Sequence, residues 1–262
     1  MQKLPVLPSV SSGILRLRLT VPVGFEPFLC EKSCPKKAPL QTSIYMWSGV
    51  VTEKVFWRDP YVSELETCVA SVRGDEVTLE ATIFYALSGG QESDAGTIAG
   101  LRVLEARKEG REIVYRLGLN HGLRAGDSVR IAIDWGRRYR LMRLHFAAEI
   151  VLELMYRRFE GVPKVGAHIS QDKARIDFAW IGSIAPVLPE LQREAQAIID
   201  ADEPIISAFS DEPSERRYWE VPGFARVPCG GTHLRRTGEV GAITLKRRNI
   251  GKGKERIEVF AT

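Results

Sequence analysis

The stretch from Leu141 to Arg158 contains neither glycine nor proline and is the longest apolar run of the chain. It reads as a helix, and its composition places most of that helix inside a core. His145 and Glu149 stand at i and i+4 on it and therefore share a face, one turn apart. Most of their neighbours are apolar, and a polar pair set among such neighbours needs partners that satisfy it. A His and a Glu at this spacing are most often a simple polar pair; a metal ion is the alternative that would partner both.

A second element favours the metal reading. Cys229-Gly230-Gly231-Thr232-His233 puts a thiol and an imidazole on one short loop, with two glycines that let the backbone fold tightly. Sulfur from cysteine and nitrogen from histidine are the donors zinc favours. The chain has only four histidines and four cysteines, and two of the histidines and one cysteine fall in these two elements. His145, Glu149, Cys229 and His233 are therefore the candidate ligands of one zinc ion.

At this point the residues resemble a known family. Phe84-Tyr85-Ala86-Leu87-Ser88-Gly89-Gly90-Gln91-Glu92-Ser93-Asp94-Ala95-Gly96 is similar to the glycine-rich G-G-Q-x-x-D-x-G motif of the free-standing alanyl-tRNA editing proteins of AlaX type, relatives of the editing half of alanyl-tRNA synthetase. Ile133-Asp134-Trp135 through Leu141-Met142-Arg143-Leu144-His145 resembles the segment leading into that family's H-x-x-x-H helix. Val227-Pro228-Cys229-Gly230-Gly231-Thr232-His233, with Ile250 to Lys254 and Arg256-Ile257-Glu258 behind it, is the third matching block. The resemblance runs from about Val51 to Phe260 and implies a zinc-dependent hydrolase that deacylates wrongly charged tRNA.

Two positions depart from the family. Phe146 follows His145 where the family has threonine, and Glu149 stands where it has a second histidine. A carboxylate is an acceptable zinc ligand, so Glu149 can complete a four-ligand site. It can instead act as general base on a water held by His145, Cys229 and His233 through the metal, and the site can also have lost its metal altogether. His168, in Gly166-Ala167-His168-Ile169-Ser170, belongs to a segment that in the family lies beside the substrate. It is a candidate catalytic group or substitute ligand, against the plainer reading of a hydrogen-bonded strand histidine.

The remaining pattern predicts an α+β protein: a small N-terminal β-barrel followed by an α+β zinc-containing editing domain. Short apolar runs alternate with turn signals between Lys54 and Trp135, as in Cys68–Val72, Gly74-Asp75, Glu76–Glu80, Ile113–Leu117 and Ser128–Ile133, which is the spacing of a small barrel. Strands are expected near Lys164–Ile169, Arg175–Phe178, Ile205–Phe209 and Gly241–Lys246. A helix is expected over Pro186–Asp200, with Leu188, Leu191, Ala195 and Ile198 at helical spacing. The expected organisation is an extension over residues 1–50, disordered or not native, a barrel domain with the glycine-rich motif over 51–136, and the deacylase domain over 137–262. Six prolines lie before position 40 and the extension matches nothing in the family, so Met46 is a candidate natural start.

Net charge is only +4, yet Arg235 to Arg256 is strongly basic, and Arg137, Arg138, Arg140 and Arg143 cluster ahead of the metal helix. Basic stripes beside a site suit phosphate binding, with a plain solvated surface as the alternative. Expected RNA contacts are Gly89, Gly90, Gln91 and Asp94, whose alternative is a tight β-turn, together with Arg137, Arg247, Arg248, Lys252 and Lys254. The partner implied by the resemblance is tRNA(Ala) carrying the wrong amino acid, serine first and glycine second. Neither a membrane segment nor an obligate protein partner is expected. The four cysteines show no disulfide framework, which points to a reducing cytoplasm. A noncatalytic zinc-containing tRNA-binding protein is the rival reading; a metalloprotease is a weaker one, for want of H-E-x-x-H.

Overall fold

The structure is a computed structural model that describes residues 52–251 and 253–262. The expected extension over residues 1–50, with its candidate start at Met46, and the RNA contact expected at Lys252 lie outside the described residues.

Turn chemistry organises the first half. After β1 (Glu53–Lys54), β2 (Glu64–Arg73) and β3 (Glu76–Leu79) form a hairpin closed by Gly74 and Asp75, with Gly74 at φ +63° as a two-residue hairpin turn demands. β4 (Ala81–Thr82) pairs in parallel with β1. β5 (Gly96–Ile98), β6 (Leu101–Arg102), β7 (Glu105–Glu109), β8 (Glu112–Arg116) and β9 (Ser128–Ile133) complete a seven-stranded sheet of order β6-β5-β9-β2-β3-β8-β7. Its inner face buries Val69, Val77, Leu79, Ile98, Ile113, Tyr115, Val129 and Ile131. Its two edges are consecutive strands separated only by Val103 and Leu104. The expected barrel is thus a curled half-barrel: β6 and β7 belong to one continuous segment, and no ladder joins them.

The long helix α1 (Trp135–Arg158) follows β9 directly and starts ahead of the expected Leu141, because Asp134 caps it by accepting a hydrogen bond from Arg137 N at 2.9 Å. Its first turn is basic, the wrong sign for a helix N-terminus. Two of those arginines are neutralised by carboxylates from the half-barrel, Arg137 by Glu92 and Arg138 by Asp94. β10 (Lys164–Ile169) and β11 (Ala174–Ala179) fall where the sequence placed them. α2 (Leu188–Asp200) buries Leu188, Leu191 and Ala195 as expected, with Ile199 rather than Ile198 as its deepest C-terminal residue.

β12 (Ile206–Asp211), β13 (Arg216–Val221) and β14 (Ala225–Pro228) form a three-stranded antiparallel sheet. β15 (Ile243–Gly251) and β16 (Lys254–Ala261) join β10 and β11 in a sheet of order β10-β11-β16-β15, on which α1 and α2 pack. β13 escaped the sequence reading for a physical reason: its buried side is Arg217, Trp219 and Val221, and an arginine at an inward position breaks the apolar alternation. The class is α+β and mostly β. All described residues lie in one compact unit that contains two hydrophobic clusters, one under the curled sheet and one around α1.

Candidate metal centre

Helix α1 and the loop after β14 meet in the second cluster. Nε2 of His145 and Nε2 of His233 each lie 3.3 Å from Cys229 Sγ. The three donor atoms are all within 4.8 Å of one another. Glu149 adjoins this triad from the helix side, with Oε1 3.6 Å from His145 Nε2 and 3.9 Å from Cys229 Sγ. Four tetrahedral ligands at zinc's usual bond lengths stand about 3.3–3.6 Å apart. The two imidazole–sulfur separations fall in that range, so His145, Cys229 and His233 suit a zinc ion, whereas Glu149 stands beside them, outside the set of donors that lie within 4.8 Å of one another.

The site's electrostatics favour a cation in the same way. Burial holds both imidazoles below the ordinary histidine range; for His233 the neighbouring His145 adds to this. Both rings are therefore neutral and present lone pairs. Burial, followed by the Glu149 carboxylate, pushes the Cys229 thiol up to about 12. A buried thiol, two buried neutral imidazoles and a carboxylate lack a positive charge of their own, which a divalent ion would supply. His145 Nδ1 is buried without a partner.

Neighbours fix the donors. Ser207 Oγ stands 2.9 Å from His233 Nδ1, which leaves Nε2 as the inward nitrogen. Trp219 Nε1 donates to Glu149 Oε2 at 3.3 Å, turning Oε1 toward the cluster. The loop carbonyls are held as well: Trp57 Nε1 donates to Gly230 O at 2.9 Å and Arg217 Nη1 to Gly231 O at 3.2 Å. None of these four partners is adjacent in sequence to the ligand it supports, and motif reading missed all of them.

Comparison with known proteins identifies the family. Residues 220–258, which include Cys229 and His233, match the family model described as the threonyl and alanyl tRNA synthetase second additional domain. Over 224 residues the chain is 34% identical to the alanyl-tRNA editing protein AlaX-M of Pyrococcus horikoshii, covering 80% of this chain and 98% of that protein. The AlaX-M protein of Saccharolobus solfataricus is also 34% identical, over 79% of this chain and 98% of its own length. This chain belongs to the AlaX-M family of alanyl-tRNA editing proteins. An alanine–tRNA ligase from Ignicoccus hospitalis is 31% identical over 88% of the chain, which corresponds to 28% of that longer enzyme.

In this family member the glycine-rich motif is a structural junction. Ser88 and Gln91 pair across Gly89 and Gly90, at φ +60° and +88°, the primed turn with two left-handed residues. Ile169 N donates to Gly90 O at 2.8 Å and Glu92 N to Ile169 O at 3.0 Å, so the loop runs along β10. Gln91 is fully buried and donates to Thr232 Oγ1 of the metal loop at 3.1 Å. Asp94 is buried against Arg138, which also donates to Pro60 O and Ile83 O. The side chains of Gln91 and Asp94 are thus turned into the protein, where Asp94 pairs with Arg138 and accepts from Tyr85 N at 2.7 Å.

His168 lies outside the triad. Its Nε2 is 3.1 Å from Glu92 Oε1, and the other Glu92 oxygen receives Arg137 Nη2 at 2.7 Å. Arg247 is bidentate to Glu255, a side chain buried on β16, whereas Arg248 is well exposed and only loosely paired, 3.8 Å from Glu258. Lys254 is exposed at the start of β16.

Proposed function

We propose that the protein is a trans-editing aminoacyl-tRNA deacylase that removes serine, and secondarily glycine, from mischarged tRNA(Ala), working in the cytoplasm beside the translation machinery. The observation that carries this reading is the convergence of His145, Cys229 and His233 on one point, in a chain of the editing family. Residues 51–136 are assigned to presenting the glycine-rich junction and residues 137–262 to the metal and the ester.

His145, Glu149, Cys229 and His233 would hold one zinc ion. With all four bound, tetrahedral zinc would have no open position and would hold helix and loop in place; with Glu149 off the metal, the open position would supply a Lewis acid for the ester carbonyl or for a water. The chain's own residues do the rest. Ser207 sets the tautomer of His233, and Trp219 fixes the Glu149 carboxylate so that one oxygen faces the cluster. Burial excludes water from the imidazoles, which keeps both neutral at physiological pH. His168, half exposed and bonded to Glu92, is assigned to the substrate side rather than to the metal. Arg248, only loosely paired with Glu258, and Lys254 offer exposed positive charge for phosphates, while Arg137 braces the Glu92 loop.

Incubating the protein with serine-charged and alanine-charged tRNA(Ala), with and without a chelator, tests the reading. Release of serine alone, abolished by the chelator, is the expected result. Tight tRNA binding with no release of either amino acid would replace it with a noncatalytic zinc-containing tRNA-binding protein.

A further inference from the structure

Next to the metal loop lies a cleft of about 340 Å³, lined among others by Phe56, Trp57, Ser207, Arg217, His233 and Arg235. Arg217 is the unusual member. It is 5% exposed, yet among the described residues it forms no ion pair. Its hydrogen bonds go to two carbonyls, Trp57 O at 2.7 Å and Gly231 O at 3.2 Å, and its Nε finds no acceptor. The guanidinium also faces the rings of Trp57 and Phe209, at 5.7 and 5.2 Å. A buried guanidinium without a counter-charge is costly, and an anion entering the cleft would offset that cost.

Ser207 adds a directed donor. With Nε2 of His233 turned to Cys229, the ring proton is assigned to Nδ1 and goes to Ser207 Oγ at 2.9 Å. The hydroxyl proton of Ser207 is then free, and this exposed residue lines the cleft. Arg235 contributes a second guanidinium at the rim, shared with Asp59 at 3.3 Å. Phe56 and Trp57 give the wall an apolar, aromatic part, which suits a nucleoside carrying the charge better than a bare ion.

We propose that this cleft binds a phosphodiester of the single-stranded 3′ end of the substrate RNA, with Arg217 and Ser207 as its ligands, so that the terminal ester is delivered along the His233 side of the metal loop. The inference rests on the deacylase reading and names the subsite that would serve it. A cation hydrogen-bonded only to carbonyls, with its Nε unsatisfied, is matched to a phosphate, and the shared wall at His233 couples the phosphate's position to the metal site.

The test uses the full chain and calorimetry with three probes: the uncharged cytidine-cytidine-adenosine trinucleotide, adenosine alone, and inorganic phosphate. Arg217→Met should weaken trinucleotide binding by about tenfold or more and reduce the salt slope by about one, with Arg217→Lys intermediate, affinities being compared at equal zinc loading because Arg217 also holds the Gly231 carbonyl of the metal loop. Adenosine binding should be affected far less. Equal trinucleotide affinity in parent and Arg217→Met, an equal loss for adenosine, or inorganic phosphate binding as tightly as the trinucleotide would each overturn the proposal. If Arg217→Met is recovered unfolded or without zinc, Ser207→Ala carries the test: a loss of about threefold or more supports the subsite and unchanged affinity overturns it. Trinucleotide binding that behaves as expected in a protein unable to release serine from tRNA(Ala) would remove the deacylase reading and leave the subsite standing.

Discussion

The chain carries two glycine pairs in its two motif loops, and they are required for different reasons. Gly89 and Gly90 are at positive φ, so the turn they form needs residues without a Cβ penalty in the left-handed region. Gly230 and Gly231 are not at positive φ. What Gly231 provides is room: a Cβ there would lie 2.4 Å from His145 Cε1 and 2.9 Å from its Nε2, whereas one on Gly230 would meet nothing within 4 Å. Within the first pair the same split recurs, because a Cβ on Gly90 would sit 2.8 Å from Ala167 O and one on Gly89 would be in open space. Two identical dipeptides thus serve one backbone conformation and one close approach of a ligand ring, and the comparison teaches that a glycine's neighbour across the fold matters as much as its own dihedral angle.

Gly231→Ala should break this comparison most visibly. The methyl group must push the His145 ring away from the cluster, and zinc affinity is expected to fall by about 100-fold with deacylation following it, while thermal unfolding changes less. Metal content by mass spectrometry of the intact protein checks it; full zinc occupancy would show that the close approach is dispensable. Gly90→Ala combines left-handed strain with a backbone clash and should destabilise the fold by about 2–4 kcal/mol. Denaturant unfolding measures that, and a loss no larger than that of Gly89→Ala would remove the contact with Ala167 from the account.

Glu149 sharpens the metal side. As a ligand it should be replaceable by histidine, with zinc retained, whereas Glu149→Gln should lose about 10–100-fold in zinc affinity. As a general base, both variants should keep zinc and both lose turnover. Unchanged zinc and unchanged turnover in both would sink either role.

The two neighbouring arginines on β15 give a smaller contrast. Arg248→Ala should weaken tRNA binding and reduce its salt slope by about one, because its exposed charge is only loosely held by Glu258 and can meet phosphate. Arg247→Ala should act mainly on stability, since it leaves the Glu255 side chain, 1% exposed, without its bidentate partner. Filter binding at two salt concentrations beside thermal unfolding separates them, and identical behaviour of the two variants would contradict the assignment. The smallest effect is expected from Gly230→Ala, within about 0.5 kcal/mol of the parent, because nothing stands where its methyl group would go.

Local chemistry made much of this protein legible in its sequence. The Gly-free, Pro-free run through His145 had to be a buried helix, Gly74-Asp75 had to close a hairpin, and the scarcity of histidine and cysteine singled out three donors that do come together. These are properties of spacing along one segment, which a linear pattern records. What only the tertiary structure decided lies between segments far apart in the chain. Ser207 on His233, Trp219 on Glu149, Trp57 and Arg217 on the loop carbonyls, Gln91 on Thr232 and Asp94 on Arg138 each join residues whose separation no periodicity encodes. The glycine-rich motif was visible as a turn and as a motif, but that its polar side chains point inward follows from the packing of its loop against β10 and α1. Arg217 shows the limit most plainly: it shares a strand face with Trp219 and Val221, but an arginine there only breaks the apolar pattern in the sequence, and its burial is set by what packs above the strand and not by the strand itself.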